Sequence, residues 1–118
     1  MAAGIYNFTI EQGATFTRQF KYKDANGTAI DLITESHTAR MDIRTSIGGD
    51  LISSFSTVGS GLSISSPNII SLTIPAEDTA SYTFNNAVYD LELVNSSGVV
   101  TRLLQGKIKL SKEVTTSS

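Results

Sequence analysis

Chemistry in a protein needs acids, bases, nucleophiles or metal ligands held close together. His37 is the only histidine of this chain, and there is no cysteine. An imidazole can act as a base or bind a metal, but a metal here would have no second His and no thiolate. The plain reading makes His37 a polar residue leading into a strand at Thr38. Glu77 and Asp78 are adjacent acids. They can form a catalytic pair, and a short helical turn after Ile74 also accounts for both, because acidic side chains favour a first helical turn. Asp90 and Glu92 have the spacing of one strand face. They can meet a partner's cations or a calcium ion, but a solvated face is the commoner case.

The glycine-containing segments carry even less chemistry. Asp24-Ala25-Asn26-Gly27 begins like a calcium loop and lacks the later bidentate Glu. Gly48-Gly49 and Gly59-Ser60-Gly61 lack the lysine and the spacing of phosphate-binding loops. Asn7-Phe8-Thr9, Asn26-Gly27-Thr28 and Asn95-Ser96-Ser97 match the short glycosylation pattern, which matters only where a secretory signal precedes it. No reaction class can be assembled from these residues. The expectation is a non-enzyme with no catalytic, cofactor-binding or metal-binding residues, no cofactor and no small-molecule substrate.

The elements that would position any site are strands. The 118 residues suffice for one domain with its own core, expected over residues 1–114 with a flexible tail at 115–118. Hydrophobic residues make up 40% and charged residues 17%, so Ser and Thr must cover much of the surface. Nine Lys and Arg against eleven Asp and Glu leave a net charge of −2. The basic residues are scattered, which argues against direct nucleic-acid binding. Met1-Ala2-Ala3-Gly4 has no signal-peptide features, and no apolar run reaches membrane-spanning length. No membrane association is expected, and the product is expected to stay in the cytosol unless an assembly carries it elsewhere.

Alternation of period two recurs along the chain. Tyr6, Phe8 and Ile10 share a face, as do Phe16, Phe20 and Tyr22 with Arg18 between them. Asn26-Gly27 predicts a hairpin turn, with Ile30 and Leu32 leading out of it. Ala39, Met41 and Ile43 alternate with Arg40, Asp42 and Arg44, the pattern of a half-buried antiparallel strand. Leu51 to Phe55, Leu62 to Ile64 and Ile70 to Ile74 follow, with a turn at Pro67-Asn68. Pro75 to Ala80 predicts one helical turn, with Pro75 at its first position. Tyr89, Leu91 and Leu93 point inward on the next strand. Asn95-Ser96-Ser97-Gly98 is a hairpin loop, Gly106 predicts a bulge or bend, and Ile108 and Leu110 face in. About eight or nine short, mainly antiparallel strands with at most one helical turn predict an immunoglobulin-like β-sandwich. Glu77-Asp78-Thr79-Ala80-Ser81-Tyr82 has the look of the corner before a late strand of such domains. Exposed aromatics would mark an interface, and Tyr82, Phe84 and Tyr89 are the candidates, with a place in the core as the commoner reading of each.

Three stretches resemble small virion proteins of tailed bacteriophages. The first is Ala3-Gly4-Ile5-Tyr6-Asn7-Phe8-Thr9-Ile10-Glu11-Gln12-Gly13-Ala14-Thr15-Phe16. The second runs from Tyr22-Lys23-Asp24 through Gly27 and Ile30-Asp31-Leu32 to Ala39-Arg40-Met41-Asp42-Ile43-Arg44. The third is Tyr89-Asp90-Leu91-Glu92-Leu93 with Gly98-Val99-Val100-Thr101-Arg102-Leu103-Leu104-Gln105-Gly106. In outline the chain is similar to the immunoglobulin-like N-terminal domain of upper baseplate proteins. It departs from that pattern at Ile33-Thr34-Glu35-Ser36-His37, where a tight turn such as Thr-Gly-Tyr is expected. The resemblance carries over no catalytic or ligand residues. It implies a virion location after synthesis in the host cytoplasm, with other virion proteins as partners in a symmetric multi-copy assembly. The expected role is a tail, neck or baseplate adaptor or accessory subunit, because the chain ends where the baseplate relatives continue into a fibre-bearing part. The alternatives are capsid decoration and a carbohydrate- or receptor-binding module.

Overall fold

A computed structural model describes residues 4–23, 26–28, 31–32, 36–65 and 68–114. The strands are β1 (Gly4–Ile5), β2 (Phe8–Glu11), β3 (Phe16–Lys21), β4 (Thr38–Arg44), β5 (Leu51–Ser56), β6 (Leu62–Ser65), β7 (Ile69–Ile74), β8 (Asn86–Val94) and β9 (Val100–Ser111), with one short helix, α1 (Ala76–Ala80), between β7 and β8. They form two sheets. The larger has the order β1-β9-β8-β4-β5, with β2 also on β9; the smaller is β3-β7-β6. This is the strand order of an immunoglobulin-like sandwich, except that β5 is added beside β4 and the N-terminal strands lie on β9. Most pairings are antiparallel, while β1 and β2 run parallel to β9.

The sandwich forms because each strand presents one apolar face. Ala39, Met41 and Ile43 of β4 are buried, as are Tyr89, Leu91 and Leu93 of β8, and the ladder sets Met41 opposite Leu91. Ile70, Leu72 and Ile74 of β7 close the core from the other sheet, each fully buried. A buried side chain of this size contributes about 1.5–3 kcal/mol relative to exposure, so the ten largest buried aliphatic residues dominate stability. Leu32 joins this core from the β3–β4 connection. Asp24, Ala25, Ala29, Ile30, Ile33 to Glu35, Ser66, Pro67, the three N-terminal residues and 115–118 lie outside the described residues, and so do the expectations that fall on them.

Three expectations need correction. Asn26-Gly27 does not join a hairpin. β3 pairs with β7 and β4 with β5 and β8, so this connection crosses between the sheets. Gly27 does take the left-handed conformation, φ +83°; the turn signal is local, and strand partnership is a long-range choice. Gly106 is not the bulge. The irregularity of the β8–β9 ladder lies between Leu91 and Glu92. Gly106 sits under the break between β1 and β2, where an added Cβ would run into the Tyr6 carbonyl oxygen and the Asn7 side chain. Pro75 is the residue before the helix, extended at φ −60° and ψ 152°, and its carbonyl accepts from the Asp78 and Thr79 amides.

The break between β1 and β2 is held tightly. The Tyr6 amide donates to Gln105 at 3.0 Å. The Tyr89 hydroxyl donates to the Tyr6 carbonyl at 2.6 Å, and the Lys107 amide donates to Asn7 Oδ1 at 2.8 Å. Adding a methyl group at Gly106 must push this backbone away. Gly106→Ala is expected to lose about 1–3 kcal/mol of unfolding free energy in a urea titration. Met41→Asp is expected to leave no cooperative thermal transition by circular dichroism, since it puts an unpaired charge at the centre of the core. Arg40→Ala, which removes an exposed ion pair with Glu92, is expected to cost less than about 1 kcal/mol.

Candidate functional site

Two surface depressions stand out. The larger is an open groove of about 530 Å³ between β5 and the segment joining α1 to β8. Ile52, Phe55, Tyr82 and Phe84 give it apolar surface, and Ser53, Ser81, Thr83 and Asp78 give it polar groups. α1 places this wall. Thr79 is fully buried, donates to the Ala14 carbonyl at 2.8 Å and accepts from the Gly13 amide at 3.1 Å. The helix is thereby tied to the β2–β3 turn, and the chain leaves it toward β5. Gln12 adds a second tie, its Nε2 donating to the Tyr82 carbonyl at 2.8 Å. Neither Thr79 nor Gln12 is legible as a positioning residue in the sequence, because a buried threonine and a solvated one look alike there.

The structure brings together two of the three aromatics expected at an interface. Tyr82 and Phe84 share the groove, their ring centroids 5.5 Å apart. Tyr82 is almost wholly buried and shares a 2.8 Å hydrogen bond with Ser53 Oγ across the groove. Burial holds its phenol above the ordinary value, with the Ser53 bond opposing and the Asp78 charge adding a smaller push upward. Phe84 is half-buried and keeps part of its ring at the surface. Tyr89 is elsewhere, in the core against Phe8, with its hydroxyl on Tyr6. The sequence corner at Tyr82 therefore uses its hydroxyl on β5.

The smaller depression, about 420 Å³, lies at the other end of the sandwich and is lined by Leu32, His37, Val58, Leu62 and Ile64 among others. His37 leads into β4 as expected, its amide donating to the Leu32 carbonyl at 3.0 Å, and its buried Nδ1 has no hydrogen-bond partner among the described residues. Among the described residues no group of three or more His, Cys, Asp or Glu side chains is placed to hold a metal.

The acids expected at candidate sites occupy two places. Glu77 and Asp78 form the first turn of α1. Asp90 and Glu92 face outward with Asp42 beside them, Asp42 directly opposite Asp90 in the ladder. Arg40 pairs with Glu92 at 2.8 Å, Arg44 with Asp42 at 3.2 Å and Arg102 with Asp90 at 3.5 Å. Two of the sequon asparagines are engaged: Asn7 Oδ1 accepts from the Lys107 amide, and Asn95 Oδ1 accepts from the Ser97 and Val99 amides, closing the β8–β9 loop.

No family model matches the chain, and no curated protein matches it. Among solved structures it is similar to CopC from Methylosinus trichosporium OB3b, at 12% identity over 67% of each chain with a TM-score of 0.41. It is also similar to extracellular domains 3–5 of Drosophila OTK, at 14% identity over 93% of this chain, with a TM-score of 0.41. The chain spans about a third of that OTK structure, 33% of its length. The immunoglobulin-like assignment rests on the strand order and not on these scores.

Partial burial raises the Asp90 carboxyl above its ordinary range, the Glu92 charge adds to this, and Arg102 opposes it. A carboxyl whose folded value is raised favours folding below its unfolded value and loses that advantage as pH rises through the folded one. At neutral pH its charge is therefore a net burden on the fold. Asp90→Asn is expected to raise the melting temperature near neutral pH, with the gain vanishing as pH falls below the ordinary aspartate range. The effect is small, because the Asp90 side chain is 38% exposed. Paired thermal melts of the two proteins across that range check it.

Proposed function

We propose that this chain is a non-enzymatic structural subunit of a tailed-phage virion, a multi-copy adaptor or accessory protein of the tail, neck or baseplate. The phage setting rests on the sequence resemblance across the three stretches quoted above. The structural observation that supports a joining role is the placement of exposed apolar side chains at both ends of the sandwich. Ile47, Leu51 and Val114 project at the end holding the β4–β5 loop, and Val58, Val99 and Val100 at the end holding the β8–β9 loop. The ladder fixes these ends as opposite: Arg44 pairs with Val88, and Thr38 with Val94. Ile47 is 95% exposed and Val58 84%. Ile5, also exposed, lies in mid-ladder opposite Gln105; the other six group at two opposite ends, which suits a subunit that contacts a neighbour at each.

Purified virions are expected to contain the chain in fixed proportion to the other structural proteins by quantitative mass spectrometry. Its absence there overturns the reading. An epitope-tagged chain labelled with a Fab and imaged on intact particles is expected to mark the tail or neck. A lattice of label on the head assigns it to capsid decoration instead.

The hydroxyl-rimmed groove at Tyr82 and Phe84 favours one second reading, a carbohydrate- or receptor-binding module. An aromatic ring beside hydroxyls and a carboxylate is the surface that a sugar ring stacks and hydrogen-bonds against. Micromolar glycan-array binding that Phe84→Ala abolishes would establish this reading in place of the first.

A further inference from the structure

In the usual immunoglobulin-like arrangement the first strand pairs with the second, at the edge of the sheet that the second strand belongs to. Here β1 and β2 both pair with β9, so β3 is an edge strand and, among the described residues, nothing pairs with its outer side. The other edges are less open. β1 and β2 are separated by Tyr6 and Asn7, β6 has four residues, and the β5 ladder slips between Ile43 and Arg44. β3 runs six residues without a proline and in continuous register with β7, from Phe16 opposite Ile74 to Lys21 opposite Ile69. Such an edge invites another strand unless something guards it.

Arg18 is the guard. It stands directly opposite Leu72, which is fully buried, so its side chain leaves from the core face. Its guanidinium lies over the rings of Tyr6, Phe8 and Phe16, with centroids at 5.9, 5.9 and 5.2 Å, and donates to the Tyr6 hydroxyl. The ring faces attract the cation, but no carboxylate of the described residues pairs with it. An added strand would meet this half-buried cation, which has no carboxylate partner among the described residues. An all-apolar strand would cover this charge and leave it unpaired, at a cost. A strand bringing a carboxylate to the same face would pair with it.

We infer that the β3 edge is a docking site for an extended segment of a partner protein that carries an Asp or Glu on its inward face, and that Arg18 selects for that carboxylate. Main-chain bonds along Phe16–Lys21 supply the general affinity, and the Arg18 pair supplies the choice. The inference stands on the sheet edge and holds whatever assembly the chain serves.

The test uses the full chain labelled with 15N and two capped seven-residue peptides. One alternates threonine and valine with a central glutamate on the valine face; its twin has glutamine there. The glutamate peptide is expected to bind roughly tenfold more tightly than the twin, with amide shifts and slowed exchange concentrated at residues 16–21. Arg18→Leu is expected to erase that preference and to shift the free protein from monomer toward dimer in sedimentation, because an unguarded edge self-pairs. Equal affinity for the two peptides, no binding of either, or shifts centred on β5 or β6 overturns the inference. If Arg18→Leu does not fold, the peptide pair on the native protein decides alone.

Discussion

The pairing of the N-terminal strands with β9 governs the architecture. Once β1 and β2 lie parallel to β9, the larger sheet carries the first and last strands side by side and the smaller is left with three. The break at Tyr6 and Asn7 must then cross Gly106, and a Cβ at that position would push the crossing chain aside. The same placement brings Tyr6 and Phe8 over the gap toward β3, where Arg18 bridges the two sheets through their rings. A first strand on β3 would leave neither the ring cage nor the open edge.

The alternating strands were readable because burial and period agree. Ala39-Met41-Ile43 and Tyr89-Leu91-Leu93 face the core as their spacing requires, and a one-residue slip would have exposed all six. Sheet membership was not readable. Asn26-Gly27 announces a turn, and only the long-range choice of β7 over β4 as the partner of β3 shows that the turn is a crossing. Gly106 was legible as special, but its reason lies a hundred residues away in Tyr6. Of the aromatic triplet, Tyr82 and Phe84 converge on the groove while Tyr89 belongs to the core. All three sit in alternating or near-alternating positions, and alternation does not distinguish a lining residue from a filling one.

Charge is treated differently on the two sides of the sandwich. On the outer face of the larger sheet, Asp42, Asp90 and Glu92 are interleaved with Arg40, Arg44 and Arg102 in three ion pairs. Solvent screens that face, and each pair contributes little alone. On the inner margin of the smaller sheet, Arg18 lies among the rings of Tyr6, Phe8 and Phe16, with no carboxylate partner among the described residues. The first arrangement keeps a face soluble; the second makes an edge selective. Hydroxyl side chains cover part of the remaining surface, as around the groove where Ser53 meets Tyr82.

The parallel ladder between β2 and β9 also sets how the domain bears load. Tension between the start of β1 and the end of β9 pulls the two neighbouring strands along their own lengths, in opposite senses. The bonds from Phe8 opposite Ile108 to Glu11 opposite Ser111 are then strained together, in shear, and none can open ahead of the others as in a peeled hairpin. Resistance to pulling is governed by the barrier to unfolding and not by equilibrium stability. The first and last strands thus form a mechanical clasp, and a domain of modest thermodynamic stability can still hold against force.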